Sequence, residues 1–387
     1  MGNIIDYIKW RGDLPLSKSP FNEIDNLIFS ELCYMDFKNI VPKEHTSNGI
    51  SLKDAVEILE KKPSVNIDLG LLIPADVLDM LKVMKNTIRY KDMKLNGYVN
   101  EIDNINARQF SAITIDTCDR CIYVAFRGTD DTLAGWREDL EFACTPYIPS
   151  QKRAVEYVNT AAKQFPLKRL RIGGHSKGGN LAAYSAIYCN TFTKKKILQV
   201  WSNDGPGFLD DIIKSDNYKQ IKNKIHSIIP KSSIVGMLLE HDNEYTVVES
   251  NELGLMQHNG FTWQVLGNSF ITLQEIPDSA KESSAKISKW LNEISPEKRR
   301  EFSDSLYTIL TSSGAKTFTD LKEENIKGFF KIIKTTLNTD KEILSGLADF
   351  FQLLITINAK LVIDGMQKET FDKVKHQKKS FHHKKDN

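Results

Sequence analysis

The chain has 387 residues, 41% of them hydrophobic and 26% charged, with a formal net charge of +2. This composition suits a globular protein with a sizeable core and about two domains. It argues against a whole-chain nucleic-acid binder, which carries a strongly basic face. The longest apolar stretch, 353–363, is short and contains Lys360, so no membrane span is expected.

The first residues, MGNIIDYIKWRGDLP, lack the apolar run after a basic start that marks a signal peptide, and Asp6 stands where a myristoylation pattern needs Ser or Thr. Five scattered cysteines, an odd number, fit a reducing cytoplasm. Residues 20–35 open on Pro20 and space Phe21, Ile24, Leu27, Ile28 and Leu32 as on a helix face. A second helix begins at Ser51, with Asp54 three residues on, close to a capping box. Residues 74–86 read as a third.

The pattern then changes. QFSAITIDT and CIYVAFRG are rich in β-branched and aromatic residues, one turn apart, and predict a hairpin. The CDRC between them, Cys118 to Cys121, has no second pair and reads as a tight turn rather than a zinc site. A helix follows at about 149–164, then the strand RLRI and a helix beginning near Lys177. Next come a strand over 197–203, a polar helix to about 223, and strands at 224–229 and 244–250. Strands alternating with helices over this span imply an α/β domain with a mostly parallel sheet. From about 278 the strands stop. The segments 280–294, 297–312, 317–336 and 339–375 read as helices, and the end of the chain is basic and polar. His376, His382 and His383 lie in that tail, where no ordered metal site is expected.

One stretch carries chemistry. RLRIGGHSKGGNLAAYSA, 169–186, places Ser176 in G-x-S-x-G, with a strand running in and a helix of small residues running out. That context suits a nucleophile elbow. The serine stands on a strained turn at a helix N-terminus, and glycines allow close backbone approach. The rival for such a turn, the phosphate loop G-x-x-x-x-G-K-[ST], is absent. With this topology the base and acid should follow the serine, in the order Ser, acid, His. His45 and His175 are thereby set aside, and His175 is expected to point away from the reacting atoms. His226 sits in an apolar strand and reads as structural. His258, in a loop after the last strand, is the expected base, with His241 second. Asp204 ends the strand 197–203 before Gly205-Pro206-Gly207 and is the candidate acid, with Asp242 and Glu240 as alternatives. The oxyanion donors are expected to be the backbone N–H groups of Lys177 and Thr129, the latter after the Arg127-Gly128 strand end.

These residues carry a family resemblance. VAFRGT…W…DL followed by GGHSKGGNLA resembles the class 3 lipases among the α/β-hydrolases. PFNEIDNLIFSELCYMDF, GHSKGGNLA, NDGPGF, IPKSSIVGMLL and QH…W together resemble more closely the Mbeg-like family of bacterial proteins related to those lipases, over about residues 1–270. The resemblance implies an α/β-hydrolase fold, with Ser176 as nucleophile, Thr129 at the oxyanion hole and His258 as base. Two departures stand out. Ser233 occupies the place where class 3 lipases carry the acid, so the acid has moved to Asp204 or the triad is incomplete. Lys177 replaces an apolar residue, which would put a charge at the mouth of the site, suited to an anionic substrate or simply solvated.

The expectation is a cytoplasmic serine hydrolase acting on an ester, thioester or acyl-lipid bond without metal or organic cofactor. The substrate would be a small acyl ester or a lipid, with no specific nucleic-acid partner. The alternative is a catalytically silent hydrolase fold used as a scaffold. The expected organisation is N-terminal helices over 1–90 packed on the core, a core over 91–277, helices over 278–376 and a basic, solvated, disordered tail over 377–387, with weak contact to a membrane surface as the alternative reading of that tail.

Overall fold

The computed structural model describes residues 2–46, 48–61, 76–103, 108–129, 147–231 and 245–274 except Leu253, with isolated positions at 138, 142, 233–239 and 295–305. Helix α1 (Ile4–Arg11) and helix α2 (Glu23–Leu32) both start on an asparagine cap. The side chains of Asn3 and Asn22 accept from the first-turn N–H groups, while Asp6 and Asp25 reach back to the cap N–H. These reciprocal bonds satisfy donors that a helix start leaves open. Helix α1 was not expected from the sequence. Helix α3 (Leu52–Glu60), capped by Ser51, and α4 (Asp76–Met84) follow where the spacing predicted.

Nine described strands form one sheet. In spatial order they are β1 (Ile50–Ser51), β2 (Lys94–Asp103), β3 (Arg108–Asp116), β4 (Cys121–Phe126), β5 (Arg169–His175), β6 (Ile197–Asn203), β7 (Ile225–Pro230) and β8 (Tyr245–Val248). After the hairpin of β9 (Val265–Leu266) and β10 (Ser269–Phe270), β11 (Thr272–Leu273) closes the edge beside β8. Pairs from β4 to β8 are parallel; β1 to β4 and β8 to β11 are antiparallel. The α/β architecture is therefore the expected one, with a wider antiparallel wing. That wing includes β2, whose alternation is broken by a register shift between Asn96 and Val99, where Gly97 takes φ +64°. The CDRC segment is the β3–β4 turn, with Cys118 and Arg120 at positive φ and both thiols free.

Helices cover both faces. On β4, Tyr123 and Ala125 face the core shared with α1 to α4, while Ile122, Val124 and Phe126 face α5 (Pro149–Gln164) and α6 (Lys177–Tyr188). A strand buried on both sides reads as a continuous apolar run, which CIYVAF is. The N-terminal layer is pinned by a fully buried ion pair between Asp25 and Arg89. Arg89 Nε donates to Asp25 Oδ1 at 2.8 Å, Tyr90 Oη donates to the same oxygen at 2.7 Å, and Arg89 also reaches the carbonyls of Leu14, Ser19 and Pro20. A buried ion pair persists only when its remaining donors are satisfied in this way.

Two expectations are corrected. The polar helix to about 223 is two short ones, Asp210–Ile213 and Asp216–Lys219, because Ser215 caps the second and so ends the first. The segment after His258 holds a short 3-10 turn, Gly260–Thr262, and then β9 to β11, so His258 does not follow the last strand. The regions 278–376 and 377–387 lie outside the described residues, except for isolated helical positions at 297–305. Among the described residues no helix is long and apolar enough to cross a membrane.

Candidate active site

Ser176 stands between β5 and α6 with φ +57° and ψ −131°, a backbone region that side chains rarely adopt. The turn closes through Ser176 N–H donating to Asn203 O at 2.9 Å and Gly179 N–H donating to Ser176 O at 2.9 Å. It is tight because it lacks side chains. A Cβ on Gly174 would lie 2.3 Å from the Gly178 carbonyl carbon, and one on Gly178 would lie 2.1 Å from Phe126 O. Helix α2 supports the turn from below. Asn203 Nδ2 donates to Gly174 O and to Ser30 Oγ, both at 3.0 Å, and Asn26 Nδ2 donates to Asn203 Oδ1 at 2.7 Å.

The end of β4 runs beside the serine. A Cβ on Gly128 would lie 3.0 Å from Ser176 Cβ and 2.7 Å from His175 O. Half-buried Thr129 follows directly, and Lys177 opens α6 directly after the serine.

Asp204 and His258 form a buried pair. Asp204, at φ +49° after β6, is 1% exposed, and its Oδ2 lies 2.6 Å from His258 Nδ1. Its Oδ1 accepts from the Ser233 hydroxyl and, at 3.1 Å, from Gly236 N–H. Asn180 Nδ2 anchors the Gly205-Pro206-Gly207 turn by donating to the carbonyls of Pro206 and Gly207. With Nδ1–H donating to the carboxylate, neutral His258 has its basic lone pair on Nε2. Among the described residues the Ser176 hydroxyl has no hydrogen bond to His258.

Ser233 donates its hydroxyl to a carboxylate that comes from the neighbouring strand. Lys177 is a correction. Its side chain is 1% exposed and does not sit at a site mouth. Its Nζ lies 2.9 Å from Glu138 Oε2 and donates to Gln109 O at 3.1 Å. Glu138 also accepts from Gln109 N–H and Ser150 N–H, tying α6 to β3 and α5. His226 stacks on Trp201 at 4.4 Å between centroids, and His45 packs on Tyr157; burial lowers the pKa of both, that of His45 to about 4. His241, Asp242 and Glu240 lie outside the described residues. Among those described, no cluster of His, Cys, Asp and Glu could hold a metal.

The Mbeg1-like family model matches residues 84–308, more than half of the chain. This chain belongs to the Mbeg1-like family. A comparison with curated proteins gave no match. Among solved structures, the native Rhizomucor miehei lipase propeptide complex is 19% identical, with a TM-score of 0.32, and covers 42% of this chain and 58% of its own. A lipase from Rhizopus microsporus var. chinensis is 18% identical at TM-score 0.33, covering 51% of this chain and 72% of its own. M37 lipase is 14% identical at TM-score 0.37, covering 56% and 70%. This Mbeg1-like chain thus spans under two thirds of the length of the Rhizomucor miehei protein.

Sequence reasoning missed Glu138, Tyr34, Asn26 and Asn203 as supports of the site. Each acts across a long sequence separation, and no local pattern records such a contact. A signal for Asn26 was available in the polar pairs Asp25-Asn26 and Ser30-Glu31, set among the apolar residues of helix α2.

Proposed function

We propose that this protein is a serine hydrolase that cleaves an ester, thioester or acyl-lipid bond. The observation that carries the reading is the buried Asp204–His258 pair at 2.6 Å beside a serine held at φ +57° on a strand–turn–helix elbow. Ser176 Oγ attacks the substrate carbonyl while His258 Nε2 takes its proton. The oxyanion is held by the N–H groups of Lys177 and Thr129. The carbonyl then re-forms, the leaving group takes the proton from His258, and water repeats the cycle to release the acid. Asp204 holds the imidazole in the required tautomer and stabilises the imidazolium. A nucleophile–base contact that is open without substrate and tightens in the Michaelis complex is ordinary for such sites. A metal or organic cofactor has no step in this scheme.

The Ser233 and Gly236 bonds favour a working carboxylate over a vestigial one. A scaffold has no need to hold an aspartate in a strained conformation against a histidine. Hydrolysis of short-chain p-nitrophenyl esters and acyl thioesters by the wild type and by Ser176→Ala tests the reading. Turnover that vanishes in the variant is expected. Equal turnover in both would remove Ser176 from the mechanism.

A further inference from the structure

His175, the residue before the nucleophile, has no role in the scheme above, yet it is fully buried against the base. Its ring centroid is 4.5 Å from that of His258, at 38° between planes. Its Nε2 lies 2.7 Å from the backbone carbonyl oxygen of His258, and its Nδ1 lies 2.9 Å from the Tyr34 hydroxyl. A carbonyl can only accept, so Nε2 must carry the hydrogen. In a neutral ring Nδ1 is then the acceptor, and Tyr34 must donate to it. Tyr34 follows helix α2, and its hydroxyl also abuts the end of β4: a Cβ on Gly128 would lie 2.2 Å from it. One hydroxyl thus touches the end of β4 and donates to the one ring nitrogen of His175 that is left as an acceptor.

Resting on the hydrolase reading, we propose that Tyr34 and His175 are positioning residues that fix the base. Tyr34 anchors the His175 ring by donating to Nδ1, and His175 Nε2–H holds the His258 carbonyl so that His258 Nδ1 meets Asp204 and Nε2 faces Ser176. Desolvation holds the pKa of His175 well below the usual histidine range, with the neighbouring His258 adding to this, so the ring stays neutral and leaves no second positive charge beside the imidazolium. The wrong tautomer would set two lone pairs against each other at the His258 carbonyl and push that loop away.

A pair of near-isosteric variants separates this role from packing. The amide nitrogen of Gln can stand where Nε2 stands, whereas the amide of Asn reaches only the Nδ1 position. His175→Gln keeps a donor toward the His258 carbonyl and His175→Asn does not. Two readouts apply to wild type, both variants and Tyr34→Phe, each checked by melting temperature. They are the rate of labelling by a fluorophosphonate and the low-field proton resonance of the His258 Nδ1–H···Asp204 bond, assigned by its loss in Asp204→Asn. Labelling near the wild-type rate with the resonance kept is expected in His175→Gln. In His175→Asn, labelling slowed about 10–100-fold with the resonance lost or shifted is expected, the scale of a small misplacement of a catalytic group. Tyr34→Phe should fall between. Equal behaviour of folded Gln and Asn variants would overturn the proposal. A wild type that never labels, while the resonance follows the stated pattern, would overturn the hydrolase reading and leave the positioning role standing.

Discussion

In the proposed mechanism one carboxylate, Asp204, both orients His258 and balances its charge. Asp204→Asn should leave a folded protein whose turnover falls by on the order of 10³–10⁴-fold, since an amide can present the wrong group to Nδ1. Ser233→Ala removes one of the hydrogen bonds to that carboxylate and leaves Gly236 N–H; a loss of about tenfold or more in turnover is expected, from a bond of ~1.5–3 kcal/mol to a charged group. Comparing the two variants in one ester assay checks both. Glu31 makes a separate prediction. Fully buried below His175, with Oε1 unpartnered, its carboxyl is pushed up to about 8 by desolvation. A raised acid stabilises the fold fully below its ordinary titration range near 4.5 and loses that contribution as pH rises towards 8. Glu31→Gln should therefore flatten the decline in melting temperature between about pH 5 and pH 9. An unchanged decline would show that Glu31 is not its source. At this scale the chain was partly legible. Ser176 announces itself through neighbouring glycines, whereas Lys177 looks like a surface charge until its partner Glu138, 39 residues away, is seen.

Among elements, the elbow works because β5, α6 and the end of β4 approach more closely than side chains allow. Gly178→Ala would drive a Cβ into Phe126 O and should cost at least about 3 kcal/mol, the upper end for overpacking, read as a lowered melting temperature. The Lys177–Glu138 pair welds the same helix to β3 and α5 from the other side. Glu138→Gln should cost about 3–5 kcal/mol by stranding a buried ammonium, while a Lys177→Met/Glu138→Gln double variant, which keeps an amide acceptor at 138, should recover most of it. Denaturant titration of the three proteins measures the difference. Elements with clean periodicity were readable in advance: the β3–β4 hairpin, α5, β5 into α6, and β6. Strand β2 was not, because its bulge at Gly97 breaks the alternation. The 210–219 helices were merged because a capping serine between two polar helices leaves no apolar signal.

At the scale of the molecule, two apolar cores sandwich one sheet, and only one of them lies mainly within the residues matched by the family. The N-terminal helices α1 to α4 fill the other face. A chain beginning at residue 84 would expose Ile113, Ile115, Tyr123 and Trp201, which α2 and its neighbours cover, and would lose Asp25 from Arg89. Such a chain should fail to fold as a monomer, seen as aggregation or loss of cooperative thermal unfolding. The α/β class was legible from the alternation of elements. The candidate acid, Asp204, was harder to read, because it follows β6 while its hydroxyl donor Ser233 follows β7, and only the assembled sheet brings the two ends together. In the proposed mechanism these parts together activate a serine. The most direct test of this is intact-mass analysis after exposure to a fluorophosphonate, with peptide mapping of the adduct. One phosphonyl group on Ser176, absent in Ser176→Ala and sharply slowed in Asp204→Asn, is the expected result. A folded wild type that stays unmodified, or that labels elsewhere, would contradict it.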